Sequence, residues 1–296
     1  MTDGPLDRVL RKVGGPATLD LLVDLPGADL TTLLLAVTSR RAEKLTAADV
    51  MRRRTEDRFV APGSVGLDRL REAESAVLAA VPAGFERVVL SPLAPLGLCS
   101  ALGPVHQNKV IGTIRGNEVA ADPTNGLALE AAVRRRSSAE PVRLATVQRV
   151  VRAQQFGGPR SVPHFSLLAL VTAGRDPGDL GFERAVAGEQ IGALTDAVRR
   201  RLKIPVQARL TVLDPRFAAV VEAVRADLPE EVEVVEDPDR PSGHNYYTGL
   251  CFKIFGRADG EWVEFGDGGF VTWTRDLLGN RKERLLIGGL GVDRLA

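Results

Sequence analysis

The chain closes on three apolar, strand-like segments set almost back to back: YYTGLCFKIFG (246–256), EWVEFGDGGFV (261–271) and RLLIGGLGVDRL (284–295). Upstream, VRLATVQRVVRAQQF (142–156) and SLLALVTAG (166–174) read as two strands around a loop rich in Gly and Pro, a hairpin signal with an unusually long connection. ARLTVLD and VEVVED add two more. Helical spacing marks LDRLREAESAVLAAV, NGLALEAAVRRR, ERAVAGEQIGALTDAVRRRL and RFAAVVEAVRADL. FERVVLSPLAPLG (85–97) is β-rich but broken by Pro92 and Pro95, and KVIGTIRG and EVAADPT read as short strand-like pieces. Strands in runs with helices between them specify an α+β fold with a mostly antiparallel sheet flanked by helices, rather than a regular βαβ array. The last segment is expected to be a strand entering a glycine-rich helix start.

Residues 1–62 read differently. LTTLLLAVTSRRAEKL (30–45) has helical apolar spacing, and AADVMRRRTEDRF (47–59) is a second helix with Thr46 as its cap. APGSVG (61–66) is a joint, so the expected organisation is a small N-terminal helical region, 1–62, and a core, 63–296.

At 296 residues the chain is long enough for real cores, and its 44% apolar and 26% charged content is that of a globular protein. A net charge of +1 supplies no overall field toward nucleic acid or membrane. Cys99 and Cys251 can form neither a disulfide framework nor a four-ligand zinc site. No apolar run approaches a membrane span, and the N-terminus has no apolar signal core, so the expected compartment is the cytoplasm.

Three places carry suggestive chemistry. VVRAQQFGGPRSVPHF sets Arg152, Arg160 and His164 around the hairpin loop, where guanidinium forks suit a phosphate and a solvated tip would equally explain them. IGGLGVDRLA leads glycines toward Arg294, a spacing that admits an anion or close backbone packing. In SGHNYYTGLCFKIF, Tyr246 and Tyr247 are the chain's two tyrosines, suited to a small-molecule pocket or to a sheet edge.

Taken together and in order, these segments resemble the catalytic core of class II aminoacyl-tRNA synthetases, closest to the histidyl type. RVVRAQQFGGPRSVPHF is similar to motif 2, which implies that Arg152 holds the ATP α-phosphate and that Gln154, Arg160 and His164 lie at the ATP site. GLGVDRL resembles motif 3, implying a γ-phosphate contact for Arg294. FERVVLSPLAPLG resembles motif 1, which builds the family's dimer and implies a homodimer. HNYYTGLCFKIF is similar to the histidine-binding signature, with Asn245, Tyr246 and Tyr247 as amino-acid-binding positions. ADPTNGLALEAAVRR stands where Asp122 and Thr124 would hold an α-amino group, and GDGGFV corresponds to a turn lining the same pocket. The resemblance implies ATP and Mg2+ as cofactors and no metal held by the protein itself.

Departures shape the functional expectation. Ser242 and Asn245 replace an arginine and an aspartate of the signature, Phe270 replaces a pocket arginine, and Gln154 replaces a motif 2 glutamate. Loss of the arginine at 242 would remove a charge-stabilising group. The motif 3-like segment reaches the last residues, so no anticodon-binding domain is expected. The resemblance then implies a paralogue that binds ATP and adenylates or binds a small amino acid or carboxylic acid other than histidine, with tRNA charging disfavoured. The alternative is a non-catalytic regulatory subunit with a protein partner, similar to that of ATP phosphoribosyltransferase in histidine biosynthesis.

Overall fold

The long hairpin read between residues 142 and 174 forms the spine of the sheet in the computed structural model, which describes residues 4–103, 105–154, 162–243 and 245–296. The chain divides into two units. One comprises Met1–Ala61 with Gly112–Asn117, the other Pro62–Ile111 with Glu118–Ala296.

The first unit carries four helices: α1 (Pro5–Leu10), α2 (Pro16–Asp24), α3 (Gly27–Ala42) and α4 (Ala47–Glu56). None contains a buried residue. Thr46 caps α4 through a reciprocal box: its hydroxyl accepts from the Asp49 N–H at 3.2 Å, and the Asp49 carboxylate accepts from the Thr46 N–H at 3.0 Å.

The second unit holds, in chain order, α5 (Leu67–Ala79), β1 (Glu86–Arg87), β2 (Leu93–Pro95), α6 (Leu98–Leu102), β3 (Asn117–Val119), α7 (Pro123–Arg135), β4 (Val142–Val151), β5 (His164–Arg175) and α8 (Gly181–Leu202). β6 (Val206–Val212), α9 (Ala218–Asp227), β7 (Val232–Glu236), β8 (Thr248–Ala258), β9 (Glu261–Val271), α10 (Trp273–Leu278) and β10 (Glu283–Gly291) follow. Eight strands form one sheet in the order β1-β4-β5-β10-β9-β8-β6-β7. The outermost pairs, β1 with β4 and β6 with β7, are parallel, and every pairing between them is antiparallel.

Period-2 alternation divides the strands between two cores. Leu168 and Leu170 of β5, Leu286 and Leu290 of β10, and Phe252 and Ile254 of β8 face α5, α8 and α9. Ala169, Val171 and Ala173 of β5, Leu285 and Ile287 of β10, and Cys251 of β8 face α7 and α10. Both faces are covered, which is why these strands read as near-continuous apolar runs.

Two local expectations are corrected. KVIGTIRG contains no strand; a 3-10 turn at Gln107–Lys109 ends there, and Gly116 at φ +72° turns the chain before β3. The glycines of IGGLG do not open a helix, because they belong to β10, which passes into a single 3-10 turn at Val292–Arg294. Close strand packing keeps this region small: a Cβ on Gly289 would stand 2.7 Å from the Leu168 carbonyl oxygen of β5, and one on Gly266 of β9 2.0 Å from the Gly289 carbonyl oxygen.

Candidate functional site

A cavity of about 310 Å³ opens over the middle of β5, β10 and β9. Its residues come from widely separated stretches of sequence, of which the N-terminus of α7, the turn before β8, β9 and the end of β10 are each fixed by a local device.

The first is the N-terminus of α7. In Asp122-Pro123-Thr124, Asp122 is the N-cap and Pro123 occupies the first helical turn, as both residue types favour. Asp122 Oδ1 accepts from the Thr124 N–H at 2.9 Å and from its hydroxyl at 2.7 Å. Oδ2 is left for Arg152, whose Nη2 donates to it at 3.1 Å. Arg152 follows the last residue of β4. Its Nε donates to the Ala121 carbonyl at 2.9 Å, and its guanidinium carbon lies 5.3 Å from the centre of the Phe165 ring. The guanidinium is thus held by one carboxylate, one carbonyl and one aromatic ring, with 30% of the side chain still exposed.

The tyrosines come from the turn before β8. Tyr246 stacks edge-on against Tyr247 and Trp273, at 4.8 and 5.6 Å between ring centres. Burial, reinforced by the negative fields of Asp122 and Asp267 on Tyr246 and of Asp267 on Tyr247, pushes both phenols well above their ordinary pKa. They therefore remain O–H donors at neutral pH, and the Tyr247 hydroxyl donates to Asp267 Oδ2 at 3.2 Å.

The third and fourth stretches are β9 and the end of β10. Arg294 Nη1 donates to the Glu264 carbonyl, while the Asp293 carboxylate accepts from the Ser166 N–H at 2.6 Å. Gly289 and Gly291 leave bare backbone along this part of the cavity.

The cavity brings together Asp122, Thr124, Arg152, Tyr246, Tyr247 and Arg294 from widely separated positions. Three other expected site residues do not line it. Gln154 is half-buried nearby, Asn245 is exposed in its turn, and the His164 Nδ1 accepts from Arg149 Nε at 3.2 Å. Arg160 lies outside the described residues.

Asp267, within the GDGGFV turn expected to line the pocket, does line the cavity, and Arg240, which sequence reasoning passed over, backs it from behind. Arg240, 3% exposed, donates from Nη2 to Asp267 Oδ2 at 3.3 Å, from Nε to the Ser242 carbonyl at 2.7 Å and from Nη1 to the Phe252 carbonyl at 3.1 Å. Its guanidinium carbon lies 5.4 Å from the Tyr247 ring centre. Ser242 itself contributes its carbonyl to Arg240, whose guanidinium stands behind the cavity-lining Asp267. Phe270, by contrast, points to the opposite face of the sheet and packs on Phe217 at 5.7 Å between ring centres. An acid set between glycines in the middle of an apolar strand, as in GDGG, was the readable signal for Asp267.

The sequence matches no protein-family model and no curated protein. Solved structures nonetheless share its architecture. Apo histidyl-tRNA synthetase from S. aureus is similar over 77% of this chain, with a TM-score of 0.58 and 14% identity. An ATP phosphoribosyltransferase regulatory subunit/histidyl-tRNA synthetase from Bacillus halodurans aligns over 80% of this chain and 81% of its own length, with a TM-score of 0.57 and 14% identity. A histidine–tRNA ligase subunit from Alicyclobacillus acidocaldarius aligns over 79% and 95%, with a TM-score of 0.58 and 16% identity. This chain spans 64% of the S. aureus enzyme. At these identities the likeness concerns the fold: the α+β architecture is that of a class II synthetase-like core.

Proposed function

We propose that the cavity binds ATP through Arg152 and Arg294, and that the chain adenylates or binds an amino acid other than histidine instead of charging tRNA. The observation that carries this reading is the convergence of those two guanidinium groups, with Phe165, on one cavity edged by the bare backbone of Gly289 and Gly291. Adenylation is attack of a carboxylate oxygen on the α-phosphorus with departure of pyrophosphate. It needs alignment and positive charge more than a general base. Arg152, steadied by Asp122 and Phe165, would orient the phosphate under attack, and Arg294 would bind the far end of the triphosphate. Asp122 and Thr124 would receive the amine of the acid. Among the described residues no group of three His, Cys, Asp or Glu side chains offers a metal cage. Mg2+ would therefore enter on the nucleotide's own phosphates, as this ion commonly does.

ATP–Mg2+ at about 100 times its Kd is expected to raise stability by about 2.7 kcal/mol. Arg152→Ala and Arg294→Ala are each expected to abolish the thermal shift while leaving the melt of the unliganded protein nearly unchanged, since both side chains are partly open to solvent. No shift with the native chain would overturn nucleotide binding.

The second reading, a non-catalytic regulatory subunit with a protein partner, draws support from the likeness to the Bacillus halodurans protein, which spans 80% of this chain and 81% of that one. Pyrophosphate exchange across a panel of amino acids separates the two, because exchange with any member excludes a purely regulatory role.

A homodimer and a cytoplasmic location complete the proposal. No helix of the described residues is long and apolar enough to cross a membrane. Val89, Leu93 and Leu96, in the motif 1-like stretch, are 100%, 43% and 57% exposed, an apolar surface suited to burial against a second copy. Light scattering is expected to give twice the 31.7 kDa chain mass; a monomer would remove the dimer.

A further inference from the structure

We propose that Asp267 reads the side chain of the bound amino acid, and that it selects one ending in an amine. This rests on the amino-acid-binding reading above and adds a substrate class to it.

Asp267 lines the cavity from the middle of β9. Its two oxygens are in different situations. Oδ2 is saturated by Arg240 Nη2 and the Tyr247 hydroxyl, at 3.3 and 3.2 Å. Both donors are fixed: Arg240 is locked by two backbone carbonyls, and the Tyr247 ring fills the space above Gly269, where a Cβ would stand 2.7 Å from it. Among the described residues no donor reaches Oδ1, although 48% of the side-chain surface is open. Burial pushes its pKa up, with Arg240 opposing and Asp122 adding to the rise. A half-exposed carboxylate with one unfilled oxygen on a cavity is placed to accept from a charged donor.

Asp122 and Asp267 thus bear on one cavity, and both act on the Tyr246 phenol between the two carboxylates' fields. Asp122, while steadying Arg152 through Oδ2, would also receive the ligand's α-amine. A second amine, on the side chain, would then fill Asp267 Oδ1. An alkyl side chain would leave Oδ1 unsatisfied, and a carboxylate would meet like charge. If Asp267 were merely the counter-ion of buried Arg240, ligand identity would not depend on it.

The test is calorimetric titration of the full chain, with ATP–Mg2+ present, using L-lysine, L-ornithine and L-2,4-diaminobutyrate against L-norleucine, L-norvaline and L-glutamate. At least one diamino acid is expected to bind about 10-fold or more tighter than its alkyl counterpart. In Asp267→Asn the amide oxygen must face the two donors Arg240 and Tyr247, which turns the NH2 into the cavity. The amine preference is then expected to vanish and glutamate to gain. A flat panel with a normal ATP shift overturns this inference and leaves nucleotide binding standing. Asp267-dependent amine binding without any ATP shift does the reverse. Should circular dichroism show that Asp267→Asn does not fold, the native panel decides alone.

Discussion

Arg135→Leu is expected to destabilise the protein by about 3–5 kcal/mol, the usual cost of breaking a buried ion pair from one side. Arg135 ends α7, and Glu283 begins β10, 148 residues later. Their side chains are 0% and 1% exposed, and the guanidinium meets the carboxylate with two bonds, at 3.0 and 3.1 Å. Nη1 also satisfies the carbonyls of Ser138, Ala139 and Glu140, at 3.0, 2.8 and 2.7 Å. One side chain therefore ends the helix, shapes the turn into β4 and anchors the central strand. Leucine would leave three carbonyls and part of a carboxylate without donors. Urea denaturation followed by circular dichroism measures the loss. A change below about 1 kcal/mol would mean that Arg175, which donates to Glu283 Oε1 at 3.0 Å, suffices as a partner.

The second large effect is expected from the smallest possible change. Gly268→Ala would put a methyl group 2.3 Å from Phe252 Cζ, 2.4 Å from the Ile287 carbonyl oxygen and 2.8 Å from Gly288 Cα. The phenyl ring can shift; the backbone of β10 cannot without parting from β9. Overpacking of this kind costs about 1–3 kcal/mol, or more where backbone must move. The strain also falls where Asp267 and the Gly289–Arg294 segment are positioned, so the ATP-induced thermal shift is expected to fall along with the melting temperature. A variant of native stability would show that the strands yield more readily than their packing implies.

These two sites mark where sequence reading succeeded and where it stopped. The order of strands and helices was legible because β5, β8 and β10 are apolar on both faces and the helices between them keep their own spacing. Asp122-Pro123-Thr124 announced a helix start through chemistry confined to three residues. Arg152, Arg294 and the tyrosine pair were legible through resemblance, and the cavity gathers them. GDGGFV pointed to the pocket, but the partner of its Asp267 was not legible, because Arg240 precedes β8 and meets β9 only through the fold, 27 residues apart in sequence. KVIGTIRG misled because its pairing with β3 amounts to a single bridge at Gly112, closed by Thr113 N–H to the Asn117 carbonyl and Val119 N–H to the Ile111 carbonyl, each at 2.8 Å, too short to count as a strand. The glycines before Arg294 misled because the same residue type serves helix starts and tightly packed strands.

The position of β10 bears on how this sheet is made. It is last of the strands in the chain yet lies between β5 and β9 in space. During synthesis, β1, β4 and β5 on one side and β6 to β9 on the other can form only as two half-sheets, each presenting an unpaired inner edge. Those edges are long and apolar, and they stay open until residues 283–291 pair with both. A chain in which β10 fails to insert keeps two adhesive edges, so the pairing of residues 283–291 is the step on which aggregation turns.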